Sequence, residues 1–224
     1  MKAVVFDAYG TLFDVASVID ACRELVPDPE AFSTVWRAKQ LEYTFLRSLM
    51  NRYADFWQVT EEALVYACKR RGLVVSTGQK HRLMDSWLHL RPFPEVAAAL
   101  RSLQAYKRVV LSNGSPTMLG SLLENCGLKA ELDLVLSADA VQIYKPARQV
   151  YELAVQHLGG TREEIVFLSA NGFDVAGAKA FGLTVCWVNR AGATLEELGI
   201  EPDATVQSLT EVTGVLAQVA HRSA

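Results

Sequence analysis

Asp7, Ser112, Lys145 and Asp174 are the residues whose types and spacing could do chemistry in this chain. A carboxylate that can attack carbon, a hydroxyl, an ammonium and a second carboxylate make a set suited to covalent catalysis. Asn113 stands beside Ser112. Asn171 lies just before Asp174 in Ser169-Ala170-Asn171-Gly172-Phe173-Asp174. Each signal has a plainer reading. Asp7 suits a turn or a helix cap, as do Ser112, Ser115 and Asp174, and Lys145 suits a solvated surface. What joins them is their place in the chain.

Asp7 ends the apolar run Ala3 to Phe6, which reads as a buried parallel strand. Ser112-Asn113 ends a second strand, Arg108 to Leu111, and Ser169 to Asp174 follows a fourth, Ile165 to Leu168. Leu132 to Leu136 and Thr184 to Val188 complete five expected strands. Helices are expected between them: one on Val96, Leu100 and Leu103, one from Ser115-Pro116 to Gly127, one from Lys145-Pro146 to Gly159-Gly160, one to Gly182, and a last near 208–221. Thr161 to Glu164 reads as a capping box. Strands alternating with helices imply a parallel, doubly wound sheet, whose carboxyl strand ends form one binding edge.

Between the first two strands the pattern is helical. Asp28-Pro29 reads as a cap and first turn, after which Phe32, Val35, Trp36, Lys39, Tyr43, Leu46 and Met50 form a stripe. Arg37 and Leu41 lie one step around from it. Thr60-Glu61-Glu62 is expected to open another helix, closed by Lys69-Arg70-Arg71 and Gly72. A third helical stretch runs near 78–90, and Arg91-Pro92-Phe93-Pro94 marks a boundary. The expected organisation is a core of residues 1–14 and 92–224 with a helical cap of residues 15–91, placed as a lid.

The chain has 224 residues, is 50% hydrophobic and carries a net charge of -3. That length supports one large core with a smaller attached unit. The charge gives no basic surface for nucleic acid. No stretch reaches the ~18 uninterrupted apolar residues of a membrane span, and the apolar run at the start is too short for a signal peptide. Cys22, Cys68, Cys126 and Cys186 are too far apart in sequence for a metal or redox pair and suit a reducing cytoplasm.

The order Asp7, Ser112, Lys145, Asp174 resembles the haloacid dehalogenase superfamily, and within it the L-2-haloacid dehalogenases. The resemblance is carried by Asp7 to Asp14, Trp36-Arg37 with Gln40 to Tyr43, Ser112-Asn113-Gly114, Lys145-Pro146 with Tyr151, and Ser169 to Asp174. It therefore spans both cap and core. It implies a Rossmann-like sheet with the first strand central, the second and third strands to one side, the fourth and fifth to the other, and a helical cap above. Phosphatases of the superfamily have an acid two residues after the nucleophile, where this chain has Tyr9. They also hold magnesium with a carboxylate pair, and here the first of that pair is Ala170. Both departures favour dehalogenation, because a halide leaves without a proton.

The implied reaction is hydrolysis of (S)-2-haloalkanoic acids to (R)-2-hydroxy acids, with no metal or cofactor. By this resemblance Asp7 attacks the halogen-bearing carbon with inversion, and water then hydrolyses the aspartyl ester. Lys145 keeps Asp7 ionised. Ser112, Lys145 and the backbone at Ala8 and Tyr9 hold the substrate carboxylate. Arg37 and Asn113 receive the halide beside Phe173, and Leu41 lines the site. Asp174, with Ser169 and Asn171, directs the water, while Thr11 and Tyr151 support Asp7 and Lys145. Arg37 also suits an exposed helix face, and Tyr151 also suits core packing. The expected partners are the haloacid and its halide, with no nucleic acid and no membrane, in a cytoplasmic homodimer. The apolar cap face through Trp36, Tyr43 and Leu46 would serve as its interface, although core burial explains the same stripe. A phosphatase of the same superfamily, or a binding protein on this fold, is the rival reading.

Overall fold

The computed structural model describes residues 1–222. It begins with β1 (Ala3–Phe6) and a two-residue β2 (Phe13–Asp14). Four helices follow: α1 (Val18–Arg23), α2 (Pro29–Leu49), α3 (Phe56–Arg70) and α4 (Thr77–Asp85). β3 (Arg91–Pro92) then pairs antiparallel with β2, so the two ends of this helical segment meet in one short ribbon. The remainder alternates: α5 (Val96–Ser102), β4 (Lys107–Ser112), α6 (Pro116–Asn125), β5 (Leu134–Ser137), α7 (Arg148–Leu158), β6 (Ile165–Ser169), α8 (Gly172–Phe181), β7 (Thr184–Val188), β8 (Ala204–Val206) and α9 (Val212–Arg222).

The six longer strands form one parallel sheet in the order β5–β4–β1–β6–β7–β8. β1 is central because all four of its residues are buried, as a strand covered on both faces must be. Its partners are Lys107 to Val110 on one side and Ile165 to Leu168 on the other. That register brings the ends of β1, β4 and β6 to one edge, so Asp7, Ser112 and Ser169 emerge together. The fold is thus an α/β, Rossmann-like sheet with flanking helices.

Local chemistry moved several expected boundaries. α3 starts at Phe56, not Thr60: the Asp55 side chain caps it by accepting from the Gln58 N–H at 2.8 Å. Thr60 is buried inside the helix and donates to the Phe56 carbonyl. α7 starts at Arg148, so Lys145-Pro146 lies in the loop before it. α4 ends at Asp85 and continues as a 3₁₀ turn, Ser86–Leu88. β8 is a sixth strand beyond the five expected.

The buried face of α2 is Phe32, Trp36, Gln40 and Thr44, which keeps Phe32 and Trp36 of the expected stripe and replaces its later members. Trp36 is fully enclosed, whereas Leu46, Leu49 and Met50 are exposed. A face built on Trp36 together with Leu46 therefore does not exist. The neighbouring line Arg37, Leu41, Phe45 and Ser48 turns toward the sheet edge. Phe45 packs edge-on against Phe173 at 5.2 Å, and Ser48 accepts from the Tyr144 N–H at 3.1 Å. Tyr53 donates to Asp139 at 2.7 Å, Tyr144 to the Ala54 carbonyl at 2.5 Å, and Asn125 to the Leu88 carbonyl at 2.8 Å. These bonds tie the helical segment to the sheet on two sides.

Candidate active site

The loop after β1 is shaped by three N–H groups, from Thr11, Leu12 and Phe13, that converge on the Ala8 carbonyl. Gly10 makes the reversal at φ 88, a conformation L side chains rarely adopt. This tight turn brings the Thr11 hydroxyl back onto Asp7, to which it donates at 3.0 Å. The same hydroxyl oxygen accepts from the Ala170 N–H at 2.9 Å, tying the β1 loop to the β6 loop.

Asp7 is 5% exposed and its two oxygens are unequal. Oδ2 accepts from Thr11 and from Asn171 Nδ2 at 2.8 Å. Among the described residues, Oδ1 accepts only from Lys145 Nζ, at 3.1 Å. Lys145 is 1% exposed and also donates to Asp174 Oδ2 at 2.8 Å, with Phe167 beneath it at 4.8 Å. Tyr151 donates to the other Asp174 oxygen at 2.8 Å. One ammonium therefore bridges two buried carboxylates.

Burial pushes the Asp174 carboxyl up to about 6, even though Lys145 opposes the shift. Burial works against the Lys145 charge too, but Asp174 and Asp7 outweigh it and raise its pKa. Asp174 is thus an ionised group at neutral pH with a foot in the acidic range. Burial raises Tyr151 as well, keeping it a proton donor.

The other expected residues surround this centre. Ser112 is fully buried, its oxygen accepting from the Gly114 N–H at 3.1 Å. Asn113 accepts from the Lys145 N–H through Oδ1 at 2.9 Å, which leaves its NH₂ end available. The Ala8 and Tyr9 N–H groups have no acceptor among the described residues. The Tyr9 hydroxyl is buried without a partner, and burial raises its pKa. Tyr9 packs on Phe56 at 5.4 Å and Trp87 at 5.9 Å. Gly114 permits this, since a Cβ there would meet the Tyr9 ring at 2.8 Å.

Arg37 is half-buried, with its guanidinium 5.9 Å from the Trp87 ring. Burial lowers its pKa to about 10 while Asp7 opposes, so it is charged at neutral pH. Leu41 and Phe173 are half-buried, and Phe45 of α2 packs against Phe173 of α8. Asn171 binds Asp7 and the Tyr9 carbonyl, not Asp174. Ser169 accepts from the Asn171 N–H at 3.1 Å and so sets the loop rather than touching a carboxylate.

Trp87 and Arg190 carried no sequence signal, and Gln40 stood in the quoted cap stretch without a role. Gln40 bonds Arg37 at 2.6 Å and Thr60 at 2.6 Å. Trp87 stacks under Arg37. Arg190, just after β7, donates to the Gly10 carbonyl at 3.4 Å and the Thr11 carbonyl at 2.9 Å. It also pairs with Glu95 at 2.8 Å and stacks on Phe93 at 3.9 Å. The apolar heptad-like spacing around Trp36 held a hint for Gln40, a long amide where periodicity asks for a hydrocarbon. Nothing near 190 marked Arg190.

These donors do not fit a divalent metal. Magnesium takes six oxygens in octahedral geometry, whereas Asp7 and Asp174 already converge on an ammonium and the position four before Asp174 is Ala170. Among the described residues no group of three or more His, Cys, Asp and Glu is arranged to hold a metal. What the arrangement can do is present a carboxylate oxygen, Asp7 Oδ1, to an electrophile. It can also stabilise charge on the other oxygen, and it keeps a second carboxylate within reach.

Known proteins resemble this chain in sequence and fold. The model of the haloacid dehalogenase-like hydrolase family matches residues 1–182. The (S)-2-haloacid dehalogenase of Pseudomonas sp. (strain YL) is 46% identical over an alignment covering 100% of this chain and 97% of that protein. The (S)-2-haloacid dehalogenase of Xanthobacter autotrophicus is 49% identical over 85% of this chain and 76% of that protein. The solved L-2-haloacid dehalogenase from Xanthobacter autotrophicus with chloropropionic acid covalently bound superposes with a TM-score of 0.92 at 41% identity, covering 97% of this chain and 98% of that one. The chain belongs to the haloacid dehalogenase-like hydrolases and, within them, to the (S)-2-haloacid dehalogenases.

Proposed function

We propose that this chain hydrolyses the carbon–halogen bond of short (S)-2-haloalkanoic acids, releasing halide and the (R)-2-hydroxy acid. The observation that carries the reading is the inequality of the two Asp7 oxygens. Oδ1, with one hydrogen bond, is the freer nucleophile. It attacks C2 from the face opposite the halogen, the carbon–halogen bond breaks, and an ester on Asp7 results with inversion. Oδ2 is then the ester carbonyl oxygen. Water adds to that carbonyl, and the Thr11 hydroxyl and Asn171 amide stabilise the charge that develops on Oδ2. Collapse breaks the Asp7 carbonyl carbon–oxygen bond, returns the carboxylate and frees the hydroxy acid, and one proton passes to solvent.

The remaining roles follow from position. Lys145 holds Asp7 ionised and meets the substrate carboxylate, together with Ser112 and the Ala8 and Tyr9 N–H groups. Asp174, anchored by Tyr151, accepts a proton from the water. Arg37 and the Asn113 amide receive the halide, with Leu41 and Phe173 as the apolar wall. Ser169 holds the loop that carries Asn171.

Residues 1–14 and 92–224 act as the core and residues 15–91 as the lid. Asp7 is nearly sealed, so an acid reaches it only when the helical segment parts from the sheet. The exposed Leu46, Leu49 and Met50 on the outer face of α2 suit a homodimer contact. Among the described residues no helix is long and apolar enough to cross a membrane, and the four free cysteines suit a cytoplasmic setting.

Halide release from each enantiomer of 2-chloropropionate, before and after dialysis against a strong chelator, tests this. Release from the (S) enantiomer alone, unchanged by chelation, is expected. Release that needs magnesium, alongside hydrolysis of aryl phosphates, would return the phosphatase reading to first place. Sedimentation velocity of the purified chain tests the dimer.

A further inference from the structure

Gln40 sits where a hydrocarbon is expected. The buried face of α2 steps by four from Phe32 to Trp36, Gln40 and Thr44, and Gln40 is fully enclosed there. A buried amide costs stability unless both ends are paired. Here both are. Oε1 accepts from Arg37 Nη1 at 2.6 Å, and Nε2 donates to Thr60 Oγ1 at 2.6 Å.

The direction of this chain of bonds is fixed by its far end. Thr60 has one hydroxyl proton, and it goes to the Phe56 carbonyl at 2.5 Å. Its oxygen can therefore only accept from Gln40. A flipped amide would set its carbonyl against that oxygen and its NH₂ against the guanidinium, with two repulsive contacts. Thr60 is itself fastened, because Trp36 Nε1 donates to its carbonyl at 2.8 Å. The carbonyl of Gln40 is thus locked toward Arg37 from α3, across the helical segment. Arg37 has five N–H donors, and one is spent here. The Trp87 ring centroid lies 5.9 Å from the guanidinium carbon.

We propose that Gln40 and Thr60 are positioning residues that fix the Arg37 guanidinium, so that its remaining N–H groups meet the halide as it departs. This rests on the halide role given to Arg37 above. A leucine–valine pair would fill the same space, so packing alone does not call for the amide.

The test is kcat and KM for Gln40→Leu, Thr60→Val and Arg37→Ala, together with Gln40→Leu in the Arg37→Ala background, on 2-chloro- and 2-bromopropionate. Misplacing a catalytic group by about an ångström costs on the order of a hundredfold. Gln40→Leu is expected to lower kcat by roughly tenfold to a hundredfold, with a smaller change in KM. The loss should be greater for chloride than for bromide, the better leaving group. In the Arg37→Ala background the same substitution should cost almost nothing. Thr60→Val, which conserves shape, should give the same pattern more weakly and serves if Gln40→Leu does not fold. Equal losses from Gln40→Leu with and without Arg37 would mean general damage and overturn the proposal, as would wild-type kcat in Gln40→Leu. Wild-type kcat in Arg37→Ala would instead overturn the halide role beneath it.

Discussion

Lys145 and Asp174 meet at 2.8 Å with neither side chain reaching solvent, and the ammonium that joins them also holds Asp7. A buried charge pair is weak evidence for stability, but breaking one side strands the other. Lys145→Met should therefore lower unfolding free energy by about 3–5 kcal/mol, read from urea melts. Adding Asp174→Asn, which removes one stranded carboxylate, should recover part of that loss. A double variant no more stable than Lys145→Met would show that the pair is not the linked unit described.

An ester on Asp7 leaves an isotopic signature. In a single turnover in heavy-oxygen water with enzyme in excess, the oxygen delivered to C2 comes from Asp7 Oδ1. The first 2-hydroxy acid should carry ordinary oxygen, and the label should appear in Asp7. Product labelled fully in the first turnover would make Asp7 a general base.

Thr11 and Asn171 both bind Asp7 Oδ2, which in the proposed mechanism becomes the carbonyl oxygen of the ester. They should matter more to ester hydrolysis than to ester formation. Removal of one donor to such a charge costs ~10²-fold or more. Thr11→Val should accumulate alkylated Asp7, seen by intact mass after brief mixing with 2-chloropropionate. No adduct, with both steps slowed alike, would remove Thr11 from the hydrolytic step.

Asp174 gives the acid limb its sign. Burial raises its pKa to about 6, and both Lys145 and the Tyr151 hydroxyl pull it down, while Asp7 pushes it up. In the proposed mechanism the carboxylate is the working form in ester hydrolysis, so the single-turnover rate of that step should fall as pH drops below about 6. Tyr151→Phe removes a donor to the carboxylate, so the limb should move to higher pH. A limb that stays in place, or moves down, would take Tyr151 out of the site and leave it to core packing.

The sheet was readable because parallel strands covered on both faces are unbroken apolar runs, and Asp7, Ser112 and Asn171 each follow one. The ends of those runs placed the chemistry at one edge. The helical segment was harder. Hydrophobic periodicity assumes that buried means apolar, and α2 buries Gln40 and Thr44 instead, so the inferred stripe was rotated toward Tyr43, Leu46 and Met50. Asp55, not the acids after Thr60, caps α3. β2, β3 and β8 are two or three residues long, too short for any period to register. Arg190 is legible only in three dimensions, because its partners lie about 95 to 180 positions away in the chain.

That arginine has a mechanical consequence. It grips the Gly10 and Thr11 carbonyls with one end of its fork and reaches Glu95 and Phe93 on the returning strand of chain. The β2–β3 ribbon begins only beyond this grip. In the lid motion proposed above, residues 15–91 would pivot on the ribbon, outboard of the Arg190 grip at the end of β7. The backbone that aims Thr11 at Asp7 stays on the stationary side of the joint. A lid hinged there would open and close without disturbing the bond from Thr11 to Asp7.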